Sequence, residues 1–293
     1  MDFAEHARAL LARARRAQEE GGPAAGDGRG PGGNLAVLRT VGSTNALARR
    51  VVEEYHEESL EPPFAALVAF EQSSGRGRHG AGWASPPGAG AWVTLVRPLA
   101  GPAELSLLPL LVPLALARAL DRHLPPASPC RIKWPNDLLV GGRKIGGVLL
   151  DAITGAGGTA GAAAIGFGVN HSQDEAALAG LAGERGATSL ALELELETGA
   201  GLPSLAELTW ELIEAVLGEL DGEADPGRAV ARYRERSVHR HGDPLSCRLP
   251  DGRLEGSFLG FDERGFLRLA LTAAAAGRRA GDEVVVTAGE VVG

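Results

Sequence analysis

Of the 29 basic residues in this chain only two, Lys133 and Lys144, are lysines. An ammonium is a compact point charge and a guanidinium a planar fork, so a lysine kept in an arginine-rich chain points to a site that the fork does not suit. The rarity marks the positions and names no reaction by itself. Lys133 belongs to Arg131-Ile132-Lys133-Trp134-Pro135-Asn136-Asp137, which packs a cation, an indole, a carboxamide and a carboxylate into one strand end and turn. A plain β-turn, with Asn136 and Asp137 bonding backbone groups, is the bland alternative. Lys144 opens Lys144-Ile145-Gly146-Gly147-Val148-Leu149. Other rare types gather nearby: Asn45, Asn136 and Asn170, with Trp83, Trp92 and Trp134, all fall between residues 43 and 170.

Gly75-Arg76-Gly77-Arg78-His79-Gly80 has the G-x-G-x-x-G spacing of a dinucleotide-binding turn. That turn needs a helix to open at the loop and hold a pyrophosphate. Here Ala81-Gly82-Trp83-Ala84-Ser85-Pro86-Pro87-Gly88 follows, and its prolines and glycines cannot start such a helix. Walker and kinase signatures are absent. The loop's own chemistry remains. Residues 72–103 contain no Asp or Glu, while Arg76, Arg78 and Arg97 are present. Glycines free the backbone to wrap a ligand, and arginines fork onto phosphate or carboxylate oxygens. A solvated surface loop would have the same composition.

Ser43-Thr44-Asn45 clusters three hydrogen-bonding side chains at a helix start, and an ordinary N-cap accounts for one of them. Gly166-Phe167-Gly168-Val169-Asn170 ends a strand of small residues, as close sheet packing would also demand. His79 and His171 have no partner at catalytic spacing, and no Ser/His/Asp order or metal-ligand spacing is apparent.

Positioning these groups takes strands and helices in alternation. Residues 1–20 read as one helix and Gly21–Gly33 as a Gly/Pro-rich linker. Asn34–Val41 reads as a strand, and Ser43 or Thr44 caps a helix to about Glu58. Phe64–Gln72 and Ala91–Arg97 are strands on either side of the loop, and a buried helix spans about residues 104–123. Arg131–Val140 and Lys144–Asp151 pair as a hairpin across Gly141-Gly142, which brings both lysines towards one end of the sheet. Thr159–Val169 is a central strand, and amphipathic helices follow near 204–221 and 226–237. From His241 onward, short alternating runs at Pro244–Leu249, Arg253–Phe261, Gly265–Leu271 and Glu283–Ala288 predict a small antiparallel barrel of about fifty residues.

Bulk composition narrows the classes. The 293 residues suffice for two domains, and 44% hydrophobic with 23% charged residues is globular arithmetic. A net charge of −8 argues against non-specific nucleic-acid binding, though not against a local basic pocket. Cys130 and Cys247 lie far apart, so neither a zinc cluster nor a disulfide scaffold is expected, and a reducing cytoplasm is the default. No secretory start is visible. Leu105–Leu120 is apolar but shorter than the roughly 20 residues of a spanning helix, and reads as core. A single N-terminal helix cannot form a helix-turn-helix, so no DNA-binding domain is expected.

Taken in order, Gly42-Ser43-Thr44-Asn45, Glu71-Gln72-Ser73-Ser74-Gly75-Arg76-Gly77-Arg78 continuing to Trp83, Lys133-Trp134-Pro135-Asn136-Asp137-Leu138, Lys144 to Leu149 and Ile165 to Asn170 resemble the biotin–protein ligases. The resemblance runs from about Leu35 to the C-terminus. It implies an α/β (α+β) fold, a mixed sheet with flanking helices, with a class II aminoacyl-tRNA synthetase-like catalytic domain over residues 34–240. A small SH3-like β-barrel over 241–293 would follow, with residues 1–33 a short helix and linker. It also implies two steps: biotin's carboxylate attacks the α-phosphorus of ATP, with Mg2+, and a lysine of a biotin carboxyl carrier protein then takes the biotinyl group. Carried over residue by residue, Lys144, Arg76 and Arg78 are the catalytic cations. Those three with Ser43, Thr44, Asn45, Gln72 and Gly77 bind biotin. Trp83, Lys133, Asn136, Asp137 and Asn170 shape the nucleotide and acceptor side. Some members carry a winged-helix repressor domain, which this chain is not expected to have. The resemblance therefore implies a monofunctional, cytoplasmic enzyme, a monomer or weak homodimer without DNA or membrane partners. A lipoate or octanoate ligase of related fold and a non-catalytic biotin-binding regulator share parts of the pattern.

Overall fold

The computed structural model describes residues 2–20, 34–99, 101–154, 160–179, 181, 186–195, 201–222, 225–250, 252–274 and 277–292. The expected linker Gly21–Gly33 lies outside them. The elements are α1 (Phe3–Glu19), β1 (Leu35–Val41), α2 (Thr44–Glu57), β2 (Ala65–Gln72), β3 (Gly90–Pro98), α3 (Pro102–Leu120), β4 (Arg131–Lys133), β5 (Asp137–Val140), β6 (Arg143–Thr154) and β7 (Ala160–Asn170). Then come α4 (Glu175–Leu178), α5 (Leu190–Glu195), α6 (Leu205–Leu220), α7 (Pro226–Arg236), β8 (Pro244–Leu249), β9 (Gly252–Phe261), β10 (Leu267–Leu271), β11 (Glu283–Val286) and β12 (Glu290–Val292).

Seven strands form one mixed sheet in the order β1-β2-β3-β7-β6-β5-β4. β1 and β2 are parallel, joined through α2, and every other neighbouring pair is antiparallel. A parallel pair needs such a crossover, whereas antiparallel neighbours can be joined by tight turns, as β4–β5 and β5–β6 are. The expected mixed sheet with flanking helices is therefore present.

Each strand's alternate residues face different layers. On one side Val93, Leu95, Ile165 and Phe167 pack with α1, α3, α6 and α7 in a continuous apolar core. α3 is long and apolar enough by composition to cross a membrane, yet 61% of that stretch is buried inside the protein. On the other side a smaller cluster, Ala48 and Val52 of α2 with Leu67, Val96, Ile153, Ala162 and Ala164, covers part of the sheet. The rest of that face is left to the cavity described below.

A second sheet of five antiparallel strands, β11-β10-β9-β8-β12, follows. Its apolar side, including Phe258, Phe261, Leu267 and Leu269, belongs to the same continuous core. Tyr233 of α7 packs edge-on against Phe261 at 5.3 Å, and Trp134 Nε1 donates to Gly265 O at 3.2 Å.

Two expectations change. Arg131–Val140 is two strands, β4 and β5, folded back at Trp134-Pro135-Asn136. Pro135 lacks the N–H that a continuous ladder would need there. The C-terminal run includes a further strand, β12, paired with β8. The sequence did not say where α1 docks: Leu10, Ala14 and Ala17 join the main core, and Arg13 pairs with Glu207 of α6 at 2.8 Å. An amphipathic stripe shows that a helix must be covered, but not by what.

Candidate active site

The first turn of α2 meets the end of β2 and the interior of β3, β6 and β7. Ser43 caps the helix, as expected, its side chain accepting from Ala46 N. The next two residues turn inward. Thr44 donates from N and Oγ1 to Gln72 Oε1, at 2.9 and 3.1 Å, and Gln72 Nε2 donates to Ser85 Oγ at 2.8 Å. Asn45 Oδ1 accepts from the Thr94 hydroxyl at 2.6 Å, while its Nδ2 donates to Leu149 O and Asp151 Oδ2, each at 3.2 Å. Thr94 is fully buried. This rigid neutral polar group is one end of a cavity of about 320 Å3.

Its floor is bare backbone. A Cβ on Gly166 would lie 1.9 Å from Asn45 Oδ1, and one on Gly168 would lie 2.7 Å from the Trp83 ring. In register, Gly166 and Gly168 of β7 sit opposite Leu149 and Gly147 of β6, on the face that carries Thr94. Glycine here lets the Asn45 carboxamide and the Trp83 indole, both in the cavity wall, lie directly against the sheet.

The opposite end is cationic. Arg76, Arg78, Lys133 and Lys144 line it, against two carboxylates, Asp137 and Glu290. A locally basic cavity thus sits in a chain of net charge −8. Lys144 Nζ lies 2.6 Å from Asp137 Oδ1 and 5.2 Å from the centre of the Trp83 ring. The loop bearing Arg76, Gly77 and Arg78 folds back on itself: Trp83 N donates to Gly75 O at 2.9 Å and Gly77 N to Ala81 O at 2.7 Å. Arg78 Nη1 donates to Gly289 O at 2.8 Å, joining the loop to the second sheet. Burial lowers the Arg78 pKa, and Asp137 and Glu290 oppose that shift.

All thirteen residues that the resemblance assigns to the site line this one cavity. They differ in how they are held. Lys133, at the end of β4, is buried opposite Asp137. Asn136 Nδ2 donates to Val148 O, stapling the β4–β5 turn to β6. Asn170 is occupied at both ends of its amide, donating to Thr188 O at 2.9 Å and accepting from Gln173 Nε2 at 3.2 Å. Sequence reasoning missed Thr94, Ser85, Asp151 and Glu290. Thr94 had a signal, a lone hydroxyl within the apolar run from Ala91 to Val96. The others had none. His171 is a buried packing residue bonded to Pro203 O, and His79 lies in the loop's 3-10 turn, outside the cavity lining.

Residues 37–170 match the model of the biotin/lipoate A/B protein ligase family. The chain is also 35% identical over 238 residues to the biotin–[acetyl-CoA-carboxylase] ligase of Paracoccus denitrificans, covering 80% of this chain and 92% of that protein. This chain belongs to the biotin–protein ligase family. Its namesake from Mycobacterium tuberculosis is 30% identical over 280 residues, 88% of each chain. The biotin protein ligase of Aquifex aeolicus, solved with biotin and ATP, shares the family fold, with a TM-score of 0.65 at 24% identity over 89% of this chain and 98% of that one. In this family member the matched region ends at Asn170, so the segment behind Lys144 and the carbonyl that holds Arg78 both lie beyond it.

Proposed function

We propose that this cavity makes biotinyl-5′-adenylate from biotin and MgATP and passes the biotinyl group to a lysine of a biotin carboxyl carrier protein. The observation that carries the reading is the division of one cavity into a rigid neutral polar end, Thr44, Asn45 and Gln72, and a cationic end, Arg76, Arg78 and Lys144. A urea head group is a dense set of donors and acceptors. Prearranged polar partners can reject analogues lacking such groups by as much as ~10⁴–10⁵-fold.

At the cationic end a biotin carboxylate oxygen attacks the α-phosphorus. The new O–P bond forms as the bond to the β-phosphate oxygen breaks, and pyrophosphate leaves. Lys144 serves both anions. At ~4 Å a unit-charge pair is worth about 4 kcal/mol at an effective dielectric of 20, against about 1 in water. Asp137 keeps the ammonium in place before nucleotide binds. The Arg76–Trp83 loop covers the mixed anhydride, which water would otherwise hydrolyse. In the second step the acceptor amine attacks the acyl carbon, AMP leaves with the bonding pair, and the nitrogen loses a proton. Magnesium arrives on the triphosphate as substrate, and Asp137 and Glu290 match the one or two carboxylates that a phosphate-borne Mg2+ uses.

In this reading residues 34–240 are the catalytic domain and 241–293 an SH3-like barrel. The enzyme works in the cytoplasm as a monomer or weak homodimer, with the carrier as its protein partner. The relatives' names, which specify acetyl-CoA carboxylase, support the carrier. The test is ATP–pyrophosphate exchange without carrier, run with biotin, lipoate and octanoate. Exchange with biotin alone is expected. Exchange driven by lipoate, or none in a folded sample, overturns the reading.

A further inference from the structure

β6 begins before its neighbour can pair with it. The register between β6 and β7 starts at Gly146 opposite Val169, so two residues earlier, at Lys144, β7 offers no partner. A later segment fills that edge. Lys144 N donates to Gly186 O at 3.1 Å, and Thr188 N donates to Lys144 O at 2.9 Å, a single parallel bridge centred on Ala187. β5 supports the other edge through Leu139.

Three side-chain hydrogen bonds anchor this clasp. Asn170 Nδ2 donates to Thr188 O at 2.9 Å. The Thr188 hydroxyl donates to Glu193 Oε1 at 2.5 Å, and Arg143 Nη2 donates to the same oxygen at 2.9 Å. The Glu193 side chain is 8% exposed and its Arg143 partner 31%. One buried carboxylate on α5 therefore ties down both the residue preceding Lys144 and the residue that clasps its carbonyl.

We propose that Glu193 is a positioning residue for Lys144; the inference rests on the role given to Lys144 above. Its charge-assisted bonds are roughly twice as strong as neutral ones, so they hold a strand end that lacks a full ladder. Placement matters because a displacement of ~1 Å can cost ~10²-fold in rate.

Glu193→Gln preserves the shape and removes the charge. Biotin-dependent pyrophosphate exchange should lose about tenfold or more in kcat, with the biotin KM within about twofold, since the neutral polar end is untouched. Arg143→Ala, altering the more exposed partner, should lower kcat in the same direction. Thr188→Val should behave like Glu193→Gln, and Thr188→Ser should recover most of that loss. The deciding measurement is the double variant: in a Lys144→Ala background Glu193→Gln should add less than about twofold, because its effect runs through the missing ammonium. Thermal unfolding run alongside confines the comparison to folded protein. Wild-type rates in both Glu193→Gln and Arg143→Ala, or a full additional loss in the Lys144→Ala background, overturn the inference. Unchanged exchange in Lys144→Ala alone instead removes the role of Lys144 itself, and this inference with it.

Discussion

The two faces of the seven-stranded sheet are built from alternate residues of the same strands, yet one is filled and the other hollow. On β3, Val93 and Leu95 enter the main core, while Thr94 between them reaches Asn45 on α2. On β7, Ile165 and Phe167 pack beneath the helices, while Gly166 and Gly168 leave the cavity floor bare. The comparison teaches that deleting side chains on one face admits a cavity wall of Asn45 and Trp83 where the other face admits core. The strands stay rigid because their other face is packed to the density of a protein interior.

Breaking the hollow face should cost activity, and breaking the filled face should cost stability. The largest effect is expected for Lys144→Ala: adenylate formation, read by pyrophosphate exchange, falls ~10²–10³-fold while the thermal midpoint stays near that of the parent. The converse is Leu116→Ala, at a fully buried position on α3. It should cost ~2–5 kcal/mol in a urea titration and leave the exchange rate of the folded protein unchanged.

The filled face also has an acid-sensitive point. His6 of α1 is 1% exposed, beside Phe70, and burial, with a smaller contribution from His171, pushes its pKa down to about 4. The unfolded chain, with a pKa near 6.5, takes up the proton first as pH falls. Stability is therefore full above about pH 6.5, declines towards pH 4 and levels below it, by at most about 3 kcal/mol. Urea midpoints across this window should show the decline, and His6→Leu should flatten that part of it.

The smallest change expected is for Gly168→Ala. The added methyl meets the Trp83 ring at 2.7 Å. Overpacking of this kind costs ~1–3 kcal/mol, expected here as about tenfold weaker ATP binding by titration calorimetry with little change in the urea midpoint. If ATP affinity holds while stability drops, the hollow face is no more tolerant of added volume than the core.

The cavity was readable in advance because its chemistry uses residue types that this chain otherwise avoids, and because glycine and helix-cap signals act over a few neighbouring positions. The strand and helix around Gly42-Ser43-Thr44-Asn45 could be read for the same reason. The turn within Arg131–Asp137 was legible from Pro135 and Asn136, but not that Arg131–Lys133 folds back to pair with β5, because three residues are too short a run to signal a strand of its own. The partners that hold the cavity's side chains were not readable either. Thr94 reaches Asn45 across 49 positions, Asp151 reaches the same carboxamide across 106, and Gly289 reaches Arg78 across 211.

The sequence by itself determined which segments alternate, where side chains are missing, and which few positions carry a lysine, an arginine loop or a lone carboxamide. Those properties follow from local periodicity and residue chemistry. Only the tertiary structure decided that Lys144 faces Asp137, that Arg78 is held by a carbonyl of the second sheet, and that Glu193 stands behind the strand end bearing Lys144. Sheet register and helix docking set these meetings, and they depend on how the whole core packs. A buried polar atom then takes the partner that packing brings within about 3 Å, however distant that partner is along the chain.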